Sequence, residues 1–171
     1  MKNTNHLVKV LALSGLCLAI SYIAQYIFHL AGVQGGKIFL PMFWGIGVAA
    51  FILPLKYAVS VALLAPALSS MTSGMPPVPM LYFMLVELPV YAAALNILSR
   101  KINPYLAVAV SLIISRAVYI LTVMAAGTLI NLPPAFTGLT ILTGSIVVSL
   151  PGILLQIIIL PIIYKIYRRF A

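Results

Sequence analysis

Apolar runs, each near the length a helix needs to cross a bilayer, follow one another along this chain with only short breaks between them. A spanning helix uses roughly 20 apolar residues, so six of them take about 120 positions and leave connectors only. The chain has 171 residues, 64% of them hydrophobic and 6% charged. A soluble domain carries about a quarter of its residues charged, so a water-soluble fold is excluded. The expectation is an all-α, polytopic membrane protein: a bundle of six transmembrane helices forming one domain over residues 1–171.

The breaks place the spans at 8–31, 38–53, 57–71, 80–98, 105–130 and 139–163. They are GVQGGK, Pro54 with Lys56, TSGMPPVP, Arg100 with Lys101, NLPPAFTG, and the terminal Lys165, Arg168 and Arg169. The first run is longer than the apolar region of a secretory signal, and Leu16 rather than a small residue precedes Cys17. It is therefore expected to be a retained first helix. Cys17 is the single cysteine, so no intrachain disulfide can form. No internal repeat or low-complexity tail stands out, which gives no support to an inverted-repeat transporter.

Ten Lys and Arg face one acid, for a net charge of +9. In a soluble protein that balance would suggest nucleic acid, but here the cations sit singly or in pairs at the ends of apolar runs. There they orient a membrane protein, and no nucleic-acid partner is expected. With both termini cytoplasmic, Lys2, Lys9, Lys56, Arg100, Lys101, Lys165, Arg168 and Arg169 share the cytoplasmic side. Lys37 and Arg116 are the exceptions. The Gly- and Pro-rich connectors then face outward, where loops can cap a ligand cavity.

Ionisable residues in mid-span are costly and point to function. Glu87, the only acid, falls in the fourth span and Arg116 in the fifth. Adjacent antiparallel helices would bring the two to similar depth. Helical spacing adds Tyr91 four residues after Glu87 and Tyr119 three after Arg116, while Gln156 in the sixth span brings an amide. One acid, one base, two phenols and an amide suit a small polar molecule. The plainer alternative is a structural ion pair with packing tyrosines, Gln156 serving as an amide that joins helices. In the first span Ala12, Ser14, Gly15 and Ala19 form a second group, Gly15 and Ala19 having the spacing that lets helices approach closely, within the bundle or against a partner.

Sets for catalysis are missing. One acid, one cysteine, His6 and His29 assemble no metal cluster, paired carboxylates or Ser/His/Asp arrangement, and no GxxxxGK[ST] loop is present. The expectation is a protein that is not an enzyme and holds no cofactor or metal. Any ATP-driven work would come from another subunit.

Three segments resemble one family. Leu40-Pro41-Met42 leads through LAPALSS at Leu64–Ser70 and GMPPVP to ELPVY at Glu87–Tyr91; SRAVY spans Ser115–Tyr119; LPGILLQIIILP spans Leu150–Pro161. Their order is similar to that in the substrate-binding S components of energy-coupling factor transporters, the bacterial vitamin importers. The chain departs from the pattern at Phe43, where a histidine often follows Pro-Met, and at Ser115, where a glycine usually precedes the arginine.

The resemblance implies a six-helix protein of the bacterial plasma membrane that captures a vitamin or precursor at its outer face. It would dock on a transmembrane coupling subunit with two cytoplasmic ATPases. Glu87, Tyr91, Arg116, Tyr119 and Gln156 would line the pocket, and the loops carrying Gln34, Lys37, Met75 and Pro76 would be the lid. Gly15 and Ala19 would form the docking face. Two rival readings are a stand-alone proton- or ion-coupled transporter, in which the buried charges couple an ion, and a membrane assembly protein that transports nothing.

Overall fold

A computed structural model describes residues 2–30, 38–129 and 147–170. Gln34 and Lys37, together with residues 139–146 of the expected sixth span, lie outside the described residues. Among the described residues there are six α-helices: α1 (Lys2–Leu30), α2 (Pro41–Ile52), α3 (Leu55–Ser73), α4 (Met80–Leu98), α5 (Pro104–Leu129) and α6 (Leu150–Phe170). No strand occurs among the described residues. Five of the helices are long and apolar enough to cross a membrane, and α2 is a shorter apolar helix. The chain is thus an all-helical, multi-pass membrane protein.

The second expected span, 38–53, is where the structure differs most from the sequence pattern. Its continuous helix α2 has 12 residues, about 18 Å at 1.5 Å per residue, against roughly 30 Å of hydrocarbon. Both ends have a cause. Leu40 takes the left-handed conformation, φ 49 and ψ 55, which interrupts the run and is unfavourable for a residue with a Cβ. Pro41 then starts the helix, where its missing N–H costs nothing. At the other end the residue before Pro54 is pushed out of the helical region, and Leu53 is extended. The Pro54 carbonyl at once accepts the N–H groups of Tyr57 and Ala58 at 3.0 and 3.1 Å, so Lys56 lies in the first turn of α3 and not in a connector.

Short as it is, α2 is the hub. It packs against α1, α3, α4 and α6, and eight of its twelve residues are buried. Glycines allow the closest approaches. A Cβ on Gly45 would strike the Ser21 hydroxyl and stand 2.6 Å from the Cys17 carbonyl oxygen, and one on Gly152 would run into the backbone at Ile38 and Phe39. Helices in lipid gain by such contact because lipid leaves packing as the main attraction between them. The last carbonyls of α2 lack intrahelical partners. Asn96 of α4 supplies one, its Nδ2 donating to Ala50 O at 2.7 Å and Leu53 O at 2.9 Å.

Around the hub, α4 packs with α3 and α5, α5 with α6, and α1 with α3. Pro66, Pro89 and Pro161 lie inside α3, α4 and α6. Each removes one hydrogen bond, a loss that packed neighbours make tolerable in a membrane. The last helix begins at Leu150 and runs past residue 163 to Phe170. Its late cations do not stop it, because long basic side chains extend along neighbouring surfaces to reach polar surroundings: Lys165 Nζ lies 4.7 Å from the Tyr105 ring centroid, and the Arg168 guanidinium 5.8 Å from that of Tyr164.

Candidate functional site

Alternate faces of α4 and α5 turn inward at helical spacing. Phe83, Glu87, Tyr91 and Leu95 are buried along α4, and Ser111, Ser115, Tyr119 and Val123 along α5, with Arg116 beside them. These steps of four residues form one stripe per helix, and the two stripes meet. Arg116 Nη1 lies 3.1 Å from Glu87 Oε1, with Glu87 1% exposed and Arg116 8%. The chain's one acid and its one mid-span base thus pair inside the bundle.

The contact is a charge pair without hydrogen-bond alignment. Glu87 Oε1 has no hydrogen-bond partner, and neither do Nε and Nη2 of Arg116. What the guanidinium does have is aromatic surface. Its carbon lies 5.1 Å from the Phe43 ring centroid and 5.9 Å from that of Tyr119, both within the roughly 6 Å at which a ring face attracts a cation.

Phe43 therefore joins the site, although the sequence marked it only as a departure from a family pattern. It is 1% exposed, and its ring packs 4.9 Å from that of Tyr91 at 55°. Tyr91 is wholly buried and its hydroxyl has no partner. That hydroxyl stands 3.0 Å from where a Cβ on Gly47 would be, so the glycine makes room for it.

Gln156 arrives from α6 by register. Gly152 abuts Phe39 and Leu160 abuts Gly47, so α2 and α6 run side by side in the same direction, and the position midway sets Gln156 level with Phe43. Gln156 is fully buried, and neither atom of its amide has a partner. The Ser111 hydroxyl is buried and unpartnered too. Sequence reasoning missed it, although a hydroxyl one helical turn before Ser115 on the Arg116 helix was the available signal.

Tyr119 sits toward one side of this group. Its ring meets Phe83 edge-on at 6.1 Å, and its hydroxyl lies 3.7 Å from Met80 Sδ. Above it the α3–α4 connector is tied down. Gly74 ends α3 in the left-handed conformation, its N–H donating to Ser70 O. Ser70 Oγ donates to Pro76 O at 3.2 Å, and Gln25 Nε2 of α1 to Met75 O at 3.2 Å. Met75 and Pro76 are thus held against α1 and α3, while Gln34 and Lys37 lie outside the described residues. On α1, Gly15 and Ala19 face outward, and a Cβ on Gly15 would meet nothing within 4 Å. Neither residue packs within the bundle.

Among the described residues no group of His, Cys, Asp and Glu is placed to hold a metal ion. No protein-family model, curated protein or solved structure matches the chain.

Proposed function

We propose that this chain is the membrane-embedded substrate-capture subunit of an ATP-driven importer of the energy-coupling factor type. It takes a small vitamin or vitamin precursor from the outer face of a bacterial plasma membrane, both termini being cytoplasmic. One observation carries the reading: a buried cluster built from α2, α4, α5 and α6 holds polar atoms with unmet hydrogen-bonding capacity on Glu87, Tyr91, Arg116 and Gln156. Buried polar groups are nearly always paired, and a purely structural ion pair would be expected to saturate its lone pairs and protons. Atoms left open within one cluster are what a ligand with its own donors and acceptors completes.

The chemistry narrows the ligand class. Glu87 and Arg116 offset each other's charge, so the site favours an uncharged or zwitterionic molecule. Phe43 and Tyr91 make the surroundings of these polar atoms aromatic, and Gln156 offers both a donor and an acceptor. In this reading Met75 and Pro76 cap the site. The outward Gly15 and Ala19 meet a transmembrane coupling subunit that carries two ATPases, and those subunits supply the energy for import.

Native mass spectrometry of the purified protein identifies the molecule it carries, and titration calorimetry then compares variants. Gln156→Ala and Glu87→Gln are expected to weaken binding at least about tenfold, the loss of one or two buried hydrogen bonds, while the protein still elutes as a folded species. Unchanged affinity in both variants overturns the site. Uptake driven by a proton gradient with no ATPase subunit present would replace this reading with an ion-coupled transporter.

A further inference from the structure

One end of the bundle gathers the start of α1 and the ends of α2, α4 and α6 around a groove of about 420 Å3. Leu13 and Phe51 form part of its apolar wall, and His6, Lys9, Arg100 and Tyr167 contribute polar and basic groups. The groove is separate from the Glu87–Arg116 cluster and shares no residue with it.

Two observations mark its cations. The chain has a single acid, and that acid is buried against Arg116, so no carboxylate side chain is left to neutralise Lys9 or Arg100. Three of the other cations of this end rest on rings: Lys56 lies 4.8 Å from the Tyr57 centroid, Lys165 is on Tyr105 and Arg168 on Tyr164. Among the described residues Lys9 and Arg100 have neither an ion pair nor a ring beneath them. They are the groove's own charges, exposed and uncompensated.

We propose that this groove is a binding site for an anionic phospholipid, with Lys9 and Arg100 on the headgroup phosphate and an acyl chain along Leu13 and Phe51. A basic pocket between transmembrane helices, at the depth where the spans end, is suited to acidic headgroups. Arg100 offers paired N–H donors to phosphate oxygens, and Lys9 a point charge. The apolar wall distinguishes a lipid from a free anion, which would gain nothing from Leu13 and Phe51. A lipid is also already at this depth, so its local concentration is high without any transfer from water.

The test uses the full chain in nanodiscs of equal parts phosphatidylcholine and phosphatidylglycerol, with lipid adducts counted by native mass spectrometry after release. Phosphatidylglycerol is expected to be enriched several-fold over phosphatidylcholine on the wild type and to fall to parity in the Lys9→Gln/Arg100→Gln variant. Lys101→Gln/Lys165→Gln, which removes the same charge from residues that do not line the groove, is expected to keep the enrichment, and thermal unfolding confirms that both variants fold. Parity in the wild type, or an equal fall in the control variant, overturns the proposal. Displacement of the retained lipid by millimolar inorganic phosphate would assign the groove to a soluble anion. Unchanged lipid counts in Lys9→Gln/Arg100→Gln with loss of a co-purifying protein would assign it to a protein surface. Either result also overturns the proposal.

Discussion

The guanidinium of Arg116 on α5 stands over the ring of Phe43 on α2, 5.1 Å from its centroid, and also meets the Glu87 carboxylate of α4. Three helices are thereby tied together at one cation. A site assembled this way is stiff, because moving any one helix breaks a contact to the other two.

Replacing Phe43 with Leu removes the ring from both Arg116 and Tyr91. A buried cation–ring contact is worth about 2 kcal/mol and an aromatic pair about 1 kcal/mol. The Phe43→Leu variant is therefore expected to lose about 2–3 kcal/mol of stability, measured by denaturant unfolding in detergent, and, in the proposed importer, to bind ligand more weakly.

Arg116→Ala leaves Glu87 buried without its counter-charge, at a cost of about 3–5 kcal/mol. The double variant Glu87→Gln/Arg116→Ala removes both charges and should recover a good part of that loss. A double-mutant cycle on unfolding free energies checks the coupling. Additive effects would show that the 3.1 Å contact carries no energy.

The two notable glycines predict opposite outcomes. A Cβ on Gly45 meets the Ser21 hydroxyl and the Cys17 carbonyl, so Gly45→Ala must push α1 from α2 and should cost about 1–3 kcal/mol. Gly15→Ala has open space around it and should leave the melting temperature unchanged. In the proposed importer, Gly15→Leu should instead abolish co-purification with the coupling subunit while sparing ligand affinity.

Asn96→Leu strips the donors from Ala50 O and Leu53 O. Two buried carbonyls then lose their partner at about 1–3 kcal/mol each. Hydrogen exchange at the amides of residues 50–53 should rise in this variant, with the far end of α2 unaffected.

The helical class is legible in the chain because a bilayer demands long apolar runs, and composition records that demand directly. Helix ends follow other rules. The residue pattern marks a break at Leu40 only through Pro41 after it, which disfavours the helical region there, and nothing in it foretells that Leu40 turns left-handed. Lys165 and Arg168 read as a stop, yet their side chains lie along aromatic rings and α6 continues beneath them.

The site was legible in part for a similar reason. A charge in hydrocarbon is conspicuous, so Glu87 and Arg116 stand out, and helical spacing leads from them to Tyr91 and Tyr119. Phe43 and Ser111 do not stand out, because a phenylalanine and a serine are ordinary in membrane helices. Asn96 and Gln25 are tertiary clasps, to the end of α2 and to the Met75 carbonyl, and no local pattern says which backbone a side-chain amide will meet.

Because α2 is enclosed by its neighbours and has its terminal carbonyls clasped from α4, its length answers to the protein and not to the membrane around it. A bilayer that thickens or thins can tilt the outer helices, but it has little grip on the inner post that carries Phe43. In the proposed importer, ligand capture should accordingly hold steady across lipids of different chain length, a tolerance useful to any organism that remodels its membrane with temperature.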